Sequence, residues 1–74
     1  MEYRKYIHSD PNIMLGKPLI KDTRISVELI LKKLSEEATI PELLESYPNI
    51  KKEDIMACIS YSADVIEKEE IIAN

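Results

Sequence analysis

The sequence predicts a small, mainly α domain: a short N-terminal β-hairpin followed by three helices, the last two proportioned as a helix-turn-helix. Three observations predict it. Apolar residues recur at helical spacing from Val27 onwards, Ser26 and Thr39 stand where N-caps belong, and Gly, Pro and Asp break the first 25 residues into turns. Seventy-four residues leave room for one domain, residues 1–74. There is neither Trp nor Phe, so the core falls to Ile, Leu, Val, Met and the four Tyr. A core of this size supplies only a few kcal/mol, so a dimer interface or a partner would add greatly to stability.

The hairpin occupies residues 3–25. A strand is expected over Tyr3 to His8, ending at the turn Ser9-Asp10-Pro11-Asn12, and a second over 19–21 after Gly16-Lys17-Pro18. Pro18 stands at the strand's start, where its missing N–H does least harm. The first helix is expected over 27–35, opened by Ser26, with Val27, Ile30, Leu31 and Leu34 on one face. Lys32 and Lys33 near its end suit the helix dipole. The second is expected over 40–47: Thr39 and Glu42 fit a capping box, Pro41 is tolerated in the first turn, and Pro48 stops the helix. The third is expected over 52–69, with Ile55, Ile59, Ser62 and Ile66 inward, flanked by Cys58 and Ala63. Glu53, Ala57, Ser60, Tyr61, Asp64 and Glu67 are expected on the opposite face.

Charge divides the chain. Residues 1–35 hold seven basic and four acidic side chains, whereas residues 36–74 hold three basic and ten acidic. A free-standing nucleic-acid binder is usually basic, so the N-terminal half is the better surface for DNA. The polar N-terminus is unlike a signal peptide, and no apolar run reaches a membrane span of about 20 residues. A single Cys58 allows no internal disulfide and suits a cytoplasmic protein. No catalytic site, metal site or cofactor is expected. His8 is the only His and reads as a strand or surface residue, Cys58 as a buried inert thiol, and Glu67, Glu69 and Glu70 as a solvated helix end. One Gly cannot build a phosphate-cradling loop.

Asp10-Pro11, Gly16-Lys17-Pro18, Thr23-Arg24, the amphipathic run Val27 to Leu34, and Tyr47-Pro48 occur here in a fixed order and spacing. In this the chain resembles the family called domain of unknown function 433, from about Ile7 to Ala63. The sequence departs from the family pattern at four places. Leu15 and Asp22 stand where the pattern has Gly. Glu37 replaces the Gly that ends the first helix, so a different turn is expected there. Lys51 replaces a Thr or Ser cap, leaving the third helix without a side-chain acceptor at its N-terminus.

The resemblance implies a homeodomain-like helix-turn-helix fold, a homodimer, and an antitoxin-like role beside a small PIN-like nuclease toxin. Arg24 is then a candidate for that partner's carboxylate cluster, since Arg suits bidentate contacts; its structural alternative is a tie from the turn to an acid on a helix. The C-terminal Ile66, Ile71 and Ile72 are candidate partner anchors or simply a frayed helix end. Operator DNA, if bound, would meet Lys51, Lys52, Ser60 and Tyr61, although Glu53, Asp64 and Glu67 repel phosphate. Three functions stay open: an antitoxin-like interaction protein, with or without autoregulatory DNA binding; a stand-alone DNA-binding regulator; or a plain structural dimer with no toxin.

Overall fold

A computed structural model describes residues 1–69. Its elements are β1 (Ile7–His8), β2 (Leu19–Ile20), α1 (Val27–Ser35), α2 (Ile40–Ser46) and α3 (Lys52–Glu69), with a 3-10 turn at Tyr3–Lys5 and a tight turn at Met14–Gly16. The protein is mainly helical, with three helices and a two-stranded antiparallel hairpin near the N-terminus, as the periodicity predicts.

The hairpin is shorter than expected. Tyr3–Lys5 coils into a 3-10 turn, because the Glu2 carboxylate accepts from the Arg4 N–H and the Tyr6 N–H bonds the Tyr3 carbonyl. Only Ile7 and His8 pair, opposite Ile20 and Leu19. Beyond that register the Lys21 N–H reaches the Tyr6 carbonyl at 2.8 Å, and β2 makes a further bridge from Leu19 to Ser26. The bridge thus pairs β2 with the cap of α1 across the turn of residues 21–25.

Helix boundaries follow their caps. The Ser26 side chain accepts from the Leu29 N–H at 3.0 Å. Thr39 and Glu42 close a full capping box at 3.2 and 2.8 Å. α3 begins differently from the expectation for Lys51. The Asp54 carboxylate turns back and accepts from the Lys51 N–H at 2.8 Å, so the acidic third residue supplies the acceptor that the cap lacks. The junction after α1 also corrects the expectation. Glu37 adopts φ 73°, the left-handed region, while the N–H groups of Glu37 and Ala38 bond the carbonyls of Leu34 and Lys33 at 3.0 Å each. That is a Schellman turn built without glycine.

The core is one cluster of Ile7, Ile20, Val27, Ile30, Leu43, Ile50, Ile55, Ala57 and Cys58, with all three helices and the hairpin contributing. The inward face of α3 is rotated from the expected one: Ile55 and Cys58 are buried as expected, but the rest of the face differs. Ala57 is fully buried and Tyr61 is half-buried, whereas Ile59 and Ile66 point outward. The N-terminal turn is the reason. Tyr3 stacks edge-on against Tyr61, centroids 5.4 Å apart, and its hydroxyl donates to Asp64, drawing the Ala57–Tyr61–Asp64 side under the hairpin. The small Ala57 permits that close approach, and aliphatic size alone misled the sequence reading.

Candidate functional site

The turn between β2 and α1 presents Arg24, and its geometry explains the Thr-Arg pair. The Thr23 hydroxyl donates to the Ile20 carbonyl at 2.8 Å and accepts from the Ile25 N–H at 2.9 Å. Asp22 takes the left-handed conformation, φ 65°, to let the chain reverse. Thr23 therefore locks the turn from within, and Arg24 is held at the surface. Among the described residues no carboxylate pairs with Arg24, so the tie from turn to helix does not form.

Arg24 lies between two shallow hollows. One is lined by His8, Ile13, Asp22, Thr23 and Arg24; the other joins Arg24 to Met14, Lys17, Glu28, Leu29 and Lys32. Lys17 is engaged with Glu28 at 2.8 Å, and that contact holds the Glu28 carboxyl below its ordinary pKa.

The turn beside it is strained. Met14, Leu15 and Gly16 all have positive φ, at 48°, 59° and 81°. A left-handed conformation costs an ordinary residue roughly 1–2 kcal/mol, and single residues rather than runs are its usual setting. Leu15 is also 95% exposed. One residue thus combines backbone strain with an apolar side chain in water, beside a half-exposed Met14. Backbone strain of this kind concentrates at functional sites. Sequence reasoning noticed Leu15 only as a departure from glycine; the demand for a left-handed residue there was the signal that could have marked it.

A second surface gathers cations. Lys5, Lys21 and Lys51 line a hollow of about 280 Å³ with Tyr6, Asp22, Thr23, Asn49 and Asp54, beside the first turn of α3. Lys51 is thereby joined to the hairpin rather than to the other DNA candidates. Lys52 is exposed on α3, Ser60 is half-buried, and Tyr61 is committed to Tyr3. Ile66 is exposed at 64%, as a partner anchor would be, while Ile71 and Ile72 lie outside the described residues.

Two further groups are drawn into the fold. Burial, with Asp54 nearby, pushes the Cys58 thiol up to about 12. His8 stands in β1 with its Nδ1 buried and unpartnered. Among the described residues, no three His, Cys, Asp or Glu side chains gather as a metal site. No described helix is long and apolar enough to cross a membrane.

None of the curated proteins matches the chain. Among solved structures it is similar to a DUF433 member protein from Anabaena variabilis ATCC 29413, with 30% identity and a TM-score of 0.78, over 92% of this chain and 68% of that one. The pattern of the family described as "Protein of unknown function (DUF433)" matches residues 7–62, most of the sequence and every element from β1 into α3. With the hairpin, the Thr23-locked turn and the three helices in that order, the chain belongs to the DUF433 family.

Proposed function

We propose that the protein is an antitoxin-like interaction module that binds and restrains a small PIN-like nuclease through the face formed by Arg24, Met14 and Leu15. The observation that carries this reading is the exposed Met14, in left-handed backbone and lining one hollow with an unpaired Arg24, followed in the chain by the strained and almost wholly exposed Leu15. An apolar knob near an exposed, unpaired guanidinium suits a partner whose site is a carboxylate cluster with an apolar rim. The apolar side chains supply burial, and the guanidinium supplies bidentate contacts with carboxylates. In such a complex Arg24 would stand against the carboxylates that the nuclease uses to hold its metal ions. The test is inhibition of the purified nuclease. The wild-type chain should suppress its metal-dependent cleavage of RNA, and Arg24→Ala should lose at least tenfold in potency; undiminished inhibition by that variant would sink the assignment of Arg24.

A second reading, nucleic-acid binding through helices α2 and α3 as a helix-turn-helix, draws support from Lys5, Lys21 and Lys51 around one hollow. It fits operator binding as an accompanying activity, because the outward side of α3 carries few cations. Binding to its own upstream DNA should weaken steeply with salt, with a slope of roughly two to three released counterions per copy. Removing Lys21 or Lys51 should lower that slope by about one.

A further inference from the structure

The outward side of α3 has a pattern that neither reading uses. From Asp54 to Ile66 its exposed residues are Met56, Ile59, Ala63 and Ile66, all apolar. Met56 and Ile59 are 40% and 39% exposed, and Ile66 more so. Their spacing of three, four and three residues is that of a coiled-coil seam. The stripe spans about 15 Å of helix at 1.5 Å per residue. A side chain that only decorates a solvated helix face has no reason to be apolar at every exposed position, and contiguous exposed apolar surface marks an interaction site.

We propose that this seam docks a second copy of the same chain, with the two α3 helices antiparallel about a two-fold axis near Tyr61. The pattern is complementary to itself in that orientation. Met56 meets Ile66 of the second copy, and Ile59 meets Ala63, a large side chain against a small one, at both ends of an isologous contact. A parallel pairing instead sets Ile59 on Ile59 and leaves Ala63 facing Ala63 across a gap.

Charge favours the same orientation. Exposed Lys51 and Lys52 sit at the positive end of the helix dipole, and Glu67 and Glu69 at the negative end, where Lys68 is occupied by Asp64 at 3.0 Å. Antiparallel packing brings Lys52 level with the acidic end of the other helix. Glu53 falls level with the opposing Glu69 and subtracts from that gain. Parallel packing sets Lys52 on Lys52 and the glutamates on one another. The surface is separate from the Arg24 face, so the inference stands or falls apart from the nuclease reading.

Sedimentation of the full chain over a wide concentration range tests it. A monomer–dimer equilibrium with a dissociation constant on the order of micromolar is expected for a seam this short. Ile59→Glu should give a monomer at every concentration with the helical circular dichroism unchanged. Lys52→Glu should weaken the dimer roughly tenfold, and adding Glu67→Lys and Glu69→Lys to it should restore the dimer, because the charges are exchanged across the antiparallel pair. A wild-type chain that stays monomeric, or a dimer that survives Ile59→Glu, overturns the seam. Failure of the charge-exchanged variant to recover overturns the antiparallel arrangement.

Discussion

The Tyr3 hydroxyl donates to the Asp64 carboxylate at 2.5 Å, joining residues 61 positions apart in sequence. This bond ties the N-terminal turn to the far half of α3, and with the Tyr3–Tyr61 contact it decides which side of that helix is inward. The Tyr3 hydrogen bond, helped by Lys68, holds Asp64 below the ordinary carboxylate range, while Asp64 holds Tyr3 above the usual phenol value.

The pH dependence follows from both directions. The depressed Asp64 stabilises the fold above the unfolded carboxylate value, about 3.9, and loses that contribution as pH falls through its lower folded value. The raised Tyr3 contributes below about pH 10 and loses its contribution as pH rises through its higher folded value. Thermal melts of Tyr3→Phe should show a lower Tm than wild type at neutral pH. The difference should shrink below about pH 4 and again at strongly alkaline pH. A gap that is constant across this range would contradict the pairing.

Glu37 ends α1 in a conformation that suits glycine. Glu37→Gly keeps both Schellman hydrogen bonds, relieves the strain, and gives back part of the gain through a freer unfolded chain. Urea unfolding should show a net gain of about 0.5–1 kcal/mol. A loss of stability would mean that the Glu37 side chain makes a compensating contact.

Asp54 is buried and supplies the acceptor at the start of α3. Asp54→Ala should lower stability by about 1–2 kcal/mol, whereas Asp54→Asn, which keeps an acceptor oxygen, should lose less. Equal losses for the two would place the role of Asp54 in its charge rather than in the cap.

Cys58 should be inert in the folded chain. With its pKa pushed up to about 12, its thiolate fraction at pH 8 falls roughly a thousandfold below that of a free thiol, before burial blocks access. Labelling by a thiol reagent should proceed only through unfolding and accelerate with urea. Rapid labelling in native buffer would contradict the packing around α3.

Much of the fold was legible because its signals are local. Ser26, Thr39 with Glu42, and Pro48 mark helix ends by their own local chemistry; α1 and α2 begin and end within a residue of the expected bounds, and α3 begins where expected. The orientation of α3 was not legible, because it depends on Tyr3, far away in sequence, and because Ala57 outranks Ile59 inside only where another element must come close. Of the candidate surface, Arg24 was visible as a motif residue. Met14 was not, and Leu15 was marked only by standing where the family pattern has Gly, since left-handed backbone leaves no mark on the leucine itself. Lys5 and Lys21 join Lys51 only through the folding of the hairpin.

Leu15 separates stability from binding. Leu15→Gly should stabilise the free chain by about 0.5–1 kcal/mol, by relieving φ 59°, while weakening the nuclease complex. Calorimetric melts of the free protein and titration against the nuclease should therefore move in opposite directions; a parallel change in both would remove Leu15 from the interface.

The most direct measurement is capture from the native cell with a tagged wild-type chain and a tagged Arg24→Ala chain side by side. The proteins retained should be identified, their stoichiometry measured, and their metal-dependent nuclease activity assayed after release. The account predicts one small nuclease in fixed ratio with the wild type, inactive until released, and lost with Arg24→Ala. Retention of nothing but the protein itself by the wild-type chain would contradict it.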